Sequence, residues 1–239
     1  MAEDKNNLTQ RSLRTPRAAA LAGIFFALLL IVSLLLIRIS VPEESLDSIS
    51  WLADNAKRIA FAIGLVPFAG IAFLWFLGVI RDRLGEFEDR FFSTVFFGSG
   101  LLFTAMTFVS AAIAASLLSI YAFDPDMLHQ TPTYAFSRAF MYQIINNYAL
   151  RMAGVFMLSL GTIWVRTKVM PRILVFLTYG LALLLLFGLN LSQWFSLVFP
   201  GWVFVISVAI LVFNFRQNKT QKTNKKSEKP SPAEMTLLD

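Results

Sequence analysis

The chain has 239 residues, of which 56% are hydrophobic and only 15% charged, with 24 phenylalanines and no cysteine. Soluble globular domains run at about 45–50% apolar and about 25% charged, so a soluble enzyme, a disordered protein and a disulfide scaffold are all excluded. The missing cysteine removes thiolate metal sites, iron–sulfur clusters and thiol nucleophiles, and the net charge of +6 is read against membrane lipid rather than nucleic acid because it sits beside long apolar runs.

In chain order, residues 1–17 are polar and carry Lys5, Arg11, Arg14 and Arg17, a basic cytoplasmic N-terminus. The run 18–37 is 20 apolar residues, long enough for one span at about 1.5 Å per residue. Arg38-Ile39-Ser40-Val41-Pro42 follows in place of a small-residue cleavage site, so an uncleaved first helix is expected. The second span, 59–80, contains Pro67, which predicts a kink whose freed carbonyl needs a neighbour. The third, 91–121, exceeds the perpendicular thickness of a bilayer and predicts tilt or protrusion. The fourth lies within 139–165, the fifth is 173–190, a tight turn is expected over 191–198, and the sixth is about 199–215. The tail 216–239, rich in Lys, Asn, Gln, Thr, Ser and Pro, lacks the apolar content to build a core and is expected to be disordered and basic.

These runs predict an all-α polytopic bundle of six spans across 18–215, with both termini cytoplasmic. With that orientation sixteen basic residues fall on inner segments and four on outer ones, leaving Arg151 within a span. Such a bias fits the positive-inside rule, and an odd number of spans would spoil it. Trp75 and Trp164 are expected at the inner interface, and Trp51, Trp194 and Trp202 near the outer one. A short interfacial helix is expected over 50–57, with Trp51 and Leu52 facing lipid. Small residues at four-residue spacing, Ala19, Gly23 and Ala27 on the first helix and Ala111 and Ala115 with Ala112 and Ser116 on the third, predict close helix packing.

All 15 acidic residues lie outside the spans, which counts against a proton relay or an intramembrane aspartyl protease. The single histidine, His129, lies in an outer loop, which counts against a serine–histidine pair and excludes bis-histidine haem in one chain. No catalytic residue and no cofactor is assigned. Asp124, Asp126 and His129 offer three metal ligands, but Asp124 before Pro125 reads better as a helix cap. Tyr134, Phe136, Phe140 and Tyr142 read as aromatic surface at the outer interface, and the charged inner loop 81–90 as a solvated turn.

One cluster stands apart. Asn146, Asn147, Tyr148 and Arg151 lie within the fourth span, with Arg151 about 20 Å from Arg166 along a regular helix. Asn147 and Arg151, four apart, share a face. An arginine at that depth needs partners, for which Thr104, Thr107 and Ser110, and Asn190 or Gln193, are the candidates on other helices. Asn146, Asn147 and Arg151 are therefore a candidate anion or lipid site, set against a purely structural arginine that snorkels or ties carbonyls together.

The stretches Arg14-Thr15-Pro16-Arg17-Ala18-Ala19-Ala20, Val66-Pro67-Phe68-Ala69-Gly70-Ile71-Ala72-Phe73-Leu74-Trp75, Arg81-Asp82-Arg83-Leu84-Gly85-Glu86 and Arg151-Met152-Ala153-Gly154-Val155-Phe156 resemble an uncharacterised family of bacterial multi-pass membrane proteins. The resemblance covers about residues 14–213. It implies a bacterial cytoplasmic membrane and brings no activity or site. Two functional readings stand: a non-catalytic scaffold, accessory or lipid-binding protein whose partners are anionic headgroups and another membrane protein, or a small transporter or channel for an anion or amphiphile built around Arg151.

Overall fold

In a computed structural model of the chain, backbone is described for residues 2–41, 50–84, 90–125, 132–168, 170–188 and 193–227, and side chains for most of 18–212 within those segments. The described residues are helical throughout, with no strand among them. The helices are α1 (Ala2–Ser40), α2 (Ser50–Leu84), α3 (Arg90–Phe123), α4 (Thr133–Gln143), α5 (Leu150–Thr167), α6 (Arg172–Phe187) and α7 (Val198–Ser227). A π-helical segment, Ile144–Ala149, joins α4 to α5 without a break, and a 3₁₀ turn, Gln193–Leu197, leads into α7. Five stretches are long and apolar enough to cross a membrane, while Arg172–Phe187 is a shorter apolar helix of 16 residues.

The helices form a ring in which α1 packs on α2 and α7, α2 on α3, α3 on α5, and α5 on α6. Where α6 meets α7, the Trp202 indole donates to the Thr178 hydroxyl at 2.9 Å in a buried position, and Thr178 in turn donates to the Leu174 carbonyl. Phenylalanines fill the middle of the ring. Phe26 of α1, Phe73 of α2, Phe103 of α3, Phe156 of α5 and Phe199 of α7 are all buried. Their rings meet at 4.5 Å (Phe26–Phe73), 4.6 Å (Phe103–Phe199) and 5.6 Å (Phe156–Phe199), mostly tilted or edge-on as ring quadrupoles prefer. A smaller cluster of Leu52, Ile59, Ile63 and Leu117 ties the other end of α2 to α3.

Pro67 sits inside an unbroken α2. The carbonyl that Pro67 leaves without its helical donor is that of Ile63; one residue before it, the Ser33 hydroxyl of α1 donates to the Ala62 carbonyl at 2.7 Å. On α1 the small-residue stripe packs as expected: Ala27 is fully buried, and Gly23 lies against Ser207 and Phe76.

Several expectations are corrected. No separate interfacial helix occupies 50–57, because α2 begins at Ser50 and Leu52 is buried in the smaller cluster instead of facing lipid. Trp164 and Trp202 are buried: their rings pack 6.1 Å apart and Thr178 takes the Trp202 N–H. Trp75 and Trp194 are exposed, and the Trp51 side chain lies outside the described residues. On α3, Ala112, Ala115 and Ser116 are exposed, so of that stripe only Ala111 packs against the smaller cluster. The tail expected to be disordered from residue 216 is helical as far as Ser227, since extending an existing helix is far easier than nucleating one.

Candidate functional site

The π-helical segment Ile144–Ala149 contains Asn146 and Asn147, and Arg151 lies one residue into α5. The hydrogen-bond register explains their arrangement. The Leu150 amide donates to the Ile145 carbonyl, five residues back, whereas regular helix from Leu150 onward implies that Ala153 donates to Ala149. Between those bonds the carbonyls of Asn146, Asn147 and Tyr148 share only two amides, those of Arg151 and Met152. One carbonyl is surplus, as wherever a helix returns from i→i−5 to i→i−4.

A side chain fills the gap. Arg151 Nη1 donates to the Asn147 carbonyl at 2.6 Å and lies 3.3 Å from Asn147 Oδ1. The Asn147 amide nitrogen donates to Gln143 Oε1, so Gln143, Asn147 and Arg151 form a ladder at four-residue spacing along one face. Asn146 turns its amide to the Tyr142 carbonyl at 3.0 Å. The structure thus brings Asn147 and Arg151 together and leaves Asn146 one hydrogen bond away on its own turn.

The partners expected from other helices are not the ones used. Thr104 and Thr107 donate to the Gly100 and Phe103 carbonyls of their own helix. Asn190 and the Gln193 side chain lie outside the described residues. A guanidinium carries five N–H donors; the three on Nε and Nη2 have no protein acceptor among the described residues, and Arg151 is only half-buried. Magnitudes decide what this means. A hydrogen bond to a charged group contributes about 1.5–3 kcal/mol, while arginine at a span centre costs about 2.5–3.5 kcal/mol on insertion scales. The Asn147 bond offsets much of that cost, but the three remaining donors still need acceptors.

Of the cavities described, one is a slit of about 10 Å³ among Phe26, Phe73 and Phe103, and the other is an open depression of about 610 Å³ by Arg81 at the far end of α2; Arg151 lines neither. Near the ladder, Phe136 and Phe140 are exposed and their rings stack at 5.8 Å, and Tyr142 is also exposed, whereas Tyr134 of the expected aromatic surface packs partly buried against the smaller cluster. Asp124 ends α3 through its amide to the Ile120 carbonyl and Pro125 is helical; Asp126 and His129 lie outside the described residues. No group of three metal-ligating side chains occurs among the described residues.

Two features escaped the sequence reading. The π-helical segment has no residue signature, since Ile144, Ile145 and Tyr148 are ordinary span residues. The depression by Arg81 depends on α2 and α3 meeting beside Gly78, and an exposed glycine one turn before a charged pair is the only hint. Comparison of the chain with protein-family models, with curated proteins and with solved structures gave no match in any of the three.

Proposed function

We propose that this chain is a non-catalytic, six-span protein of a bacterial cytoplasmic membrane, with both termini cytoplasmic, that binds lipid and serves as a scaffold or accessory factor. The observation that carries the reading is the set of phenylalanines from five helices packed ring to ring at the centre of the described residues. The absence of acidic residues from the apolar spans favours it too. Arg151 is then a lipid contact: one Nη1 secures its own helix, and Nε and Nη2 meet a headgroup phosphate, for which a forked guanidinium suits two oxygens. The transport reading has less support, because neither described cavity is lined by Arg151.

Native mass spectrometry of the protein extracted with its own lipids, beside an Arg151→Ala version, tests this. The reading expects an anionic lipid retained by the unmodified protein and lost from the variant. Identical lipid in both would remove Arg151 as a contact. A stoichiometric protein in both samples would place the function in that partner. Anion flux through vesicles holding the purified chain would overturn the non-transport reading.

A further inference from the structure

At the end of α2, Leu74, Gly78, Arg81 and Asp82 follow one another on a single stripe and line the open depression of about 610 Å³, with Phe97 of α3 forming the facing wall. Positions i, i+4, i+7 and i+8 share one helix face, so the stripe runs from apolar to charged along the helix axis. Ligand clefts typically span about 300–1,000 Å³. Gly78 keeps the floor open: a Cβ there would meet nothing within 4 Å. The Arg81 guanidinium lies 4.3 Å from the Phe97 ring centroid. The ring face holds the guanidinium, and Arg81 lines the depression. Trp75, 70% exposed beside this stripe, is the residue type that marks the depth of lipid headgroups.

We propose that this groove binds a phospholipid whose headgroup carries both a phosphate and a primary ammonium, the phosphatidylethanolamine class. An acyl chain lies along Leu74 and over Gly78 against Phe97. Arg81 takes the phosphate through charge-assisted hydrogen bonds, and the neighbouring Asp82 carboxylate accepts from the ammonium. The paired charges select the headgroup. A singly anionic glycerol headgroup meets Arg81 equally well but is repelled by Asp82, and a quaternary choline offers Asp82 no N–H. The proposal rests on the membrane-spanning reading and is independent of Arg151.

The test is native mass spectrometry of the full chain released from vesicles of equal parts phosphatidylethanolamine, phosphatidylglycerol and phosphatidylcholine. One phosphatidylethanolamine should stay bound, preferred about tenfold over phosphatidylglycerol, the factor that one charge-assisted bond carries. Gly78→Leu should fill the groove and abolish retention. Asp82→Asn, a surface change that leaves the fold intact, should erase the preference while keeping lipid bound. Arg81→Gln should weaken retention of every phospholipid. The same preference in Asp82→Asn, or no preference in the unmodified chain, would overturn the proposal. So would undiminished retention of the lipid in Gly78→Leu. Failure of the unmodified chain to enter vesicles would remove the membrane reading itself, and this site with it.

Discussion

Single residues carry more of this structure than their chemistry alone suggests. Lys168 ends α5 in the left-handed conformation, φ 54°, with its amide on the Trp164 carbonyl. A side chain there meets the steric penalty that glycine escapes. Lys168→Gly should therefore stabilise the protein, by about 0.5–1 kcal/mol if it regains what a compatible cap residue gives, read as a raised midpoint in thermal unfolding in detergent. Gly23 and Ser207 form a second such place. A Cβ on Gly23 would collide with Ser207 Oγ and fall 2.9 Å from the Phe76 ring, and that hydroxyl is fully buried without a hydrogen-bond partner among the described residues. Gly23→Ala should cost about 1–3 kcal/mol by overpacking, and Ser207→Ala should cost little because its hydroxyl satisfies nothing. The double variant should recover part of the loss, a coupling that a double-mutant cycle in unfolding free energy would measure. Strict additivity would mean that the two residues do not press on each other.

Among the elements, the α6–α7 junction has the sharpest consequence. The 16-residue α6 is about 24 Å long at about 1.5 Å per residue, short of the roughly 30 Å hydrocarbon core. Its exposed side chains, including Ile173, Phe176, Leu183 and Phe187, leave Val175, Thr178, Ala182 and Leu185 as the buried face. The Trp202–Thr178 bond is then what fixes its partner. Thr178→Val leaves a buried indole N–H unsatisfied and should lower stability by about 1–2 kcal/mol, near the upper range for hydrogen bonds between membrane helices. Trp202→Phe in the same background removes the orphan donor and should make the Thr178 change nearly silent. If Thr178→Val costs as much in the Trp202→Phe background as in the unmodified chain, the hydrogen bond is not the cause.

At this scale it is also clear what the sequence disclosed. Spans were legible because apolar length alone signals them, as at 18–37 and 91–121, and Arg151 was legible because charge is rare inside an apolar span. Its partner was not, because a π-helical turn is a property of backbone register and not of residue type. Leu52 was misread because the cluster that buries it includes Leu117, a residue distant in sequence.

For the whole molecule, the helices surround a solid centre. Phe73 touches Phe26, Phe76, Phe103, Phe156 and Phe199 at ring distances of 4.5–6.0 Å. Phe73→Ala should cost about 3–5 kcal/mol, as for other large aromatic truncations in packed cores, measured by thermal unfolding. A loss under about 1 kcal/mol would mean that the centre collapses to fill the space. Every functional reading above also depends on how the chain crosses the bilayer, and α6 is where that is decided. If it crosses, the chain has six spans and sixteen inner basic residues; if it does not, the C-terminus and its lysines lie outside, against the charge rule.

Single-cysteine labelling decides between the two, and it is direct here because the chain has no cysteine of its own. Asn7→Cys, Glu43→Cys and Ser231→Cys would each be exposed to a membrane-impermeant maleimide in intact cells and again after lysis. Six spans with both ends inside require Glu43→Cys to label in intact cells, and Asn7→Cys and Ser231→Cys to label only once the membrane is broken. Labelling of Ser231→Cys in intact cells, with Asn7→Cys protected, would contradict that topology and leave five spans.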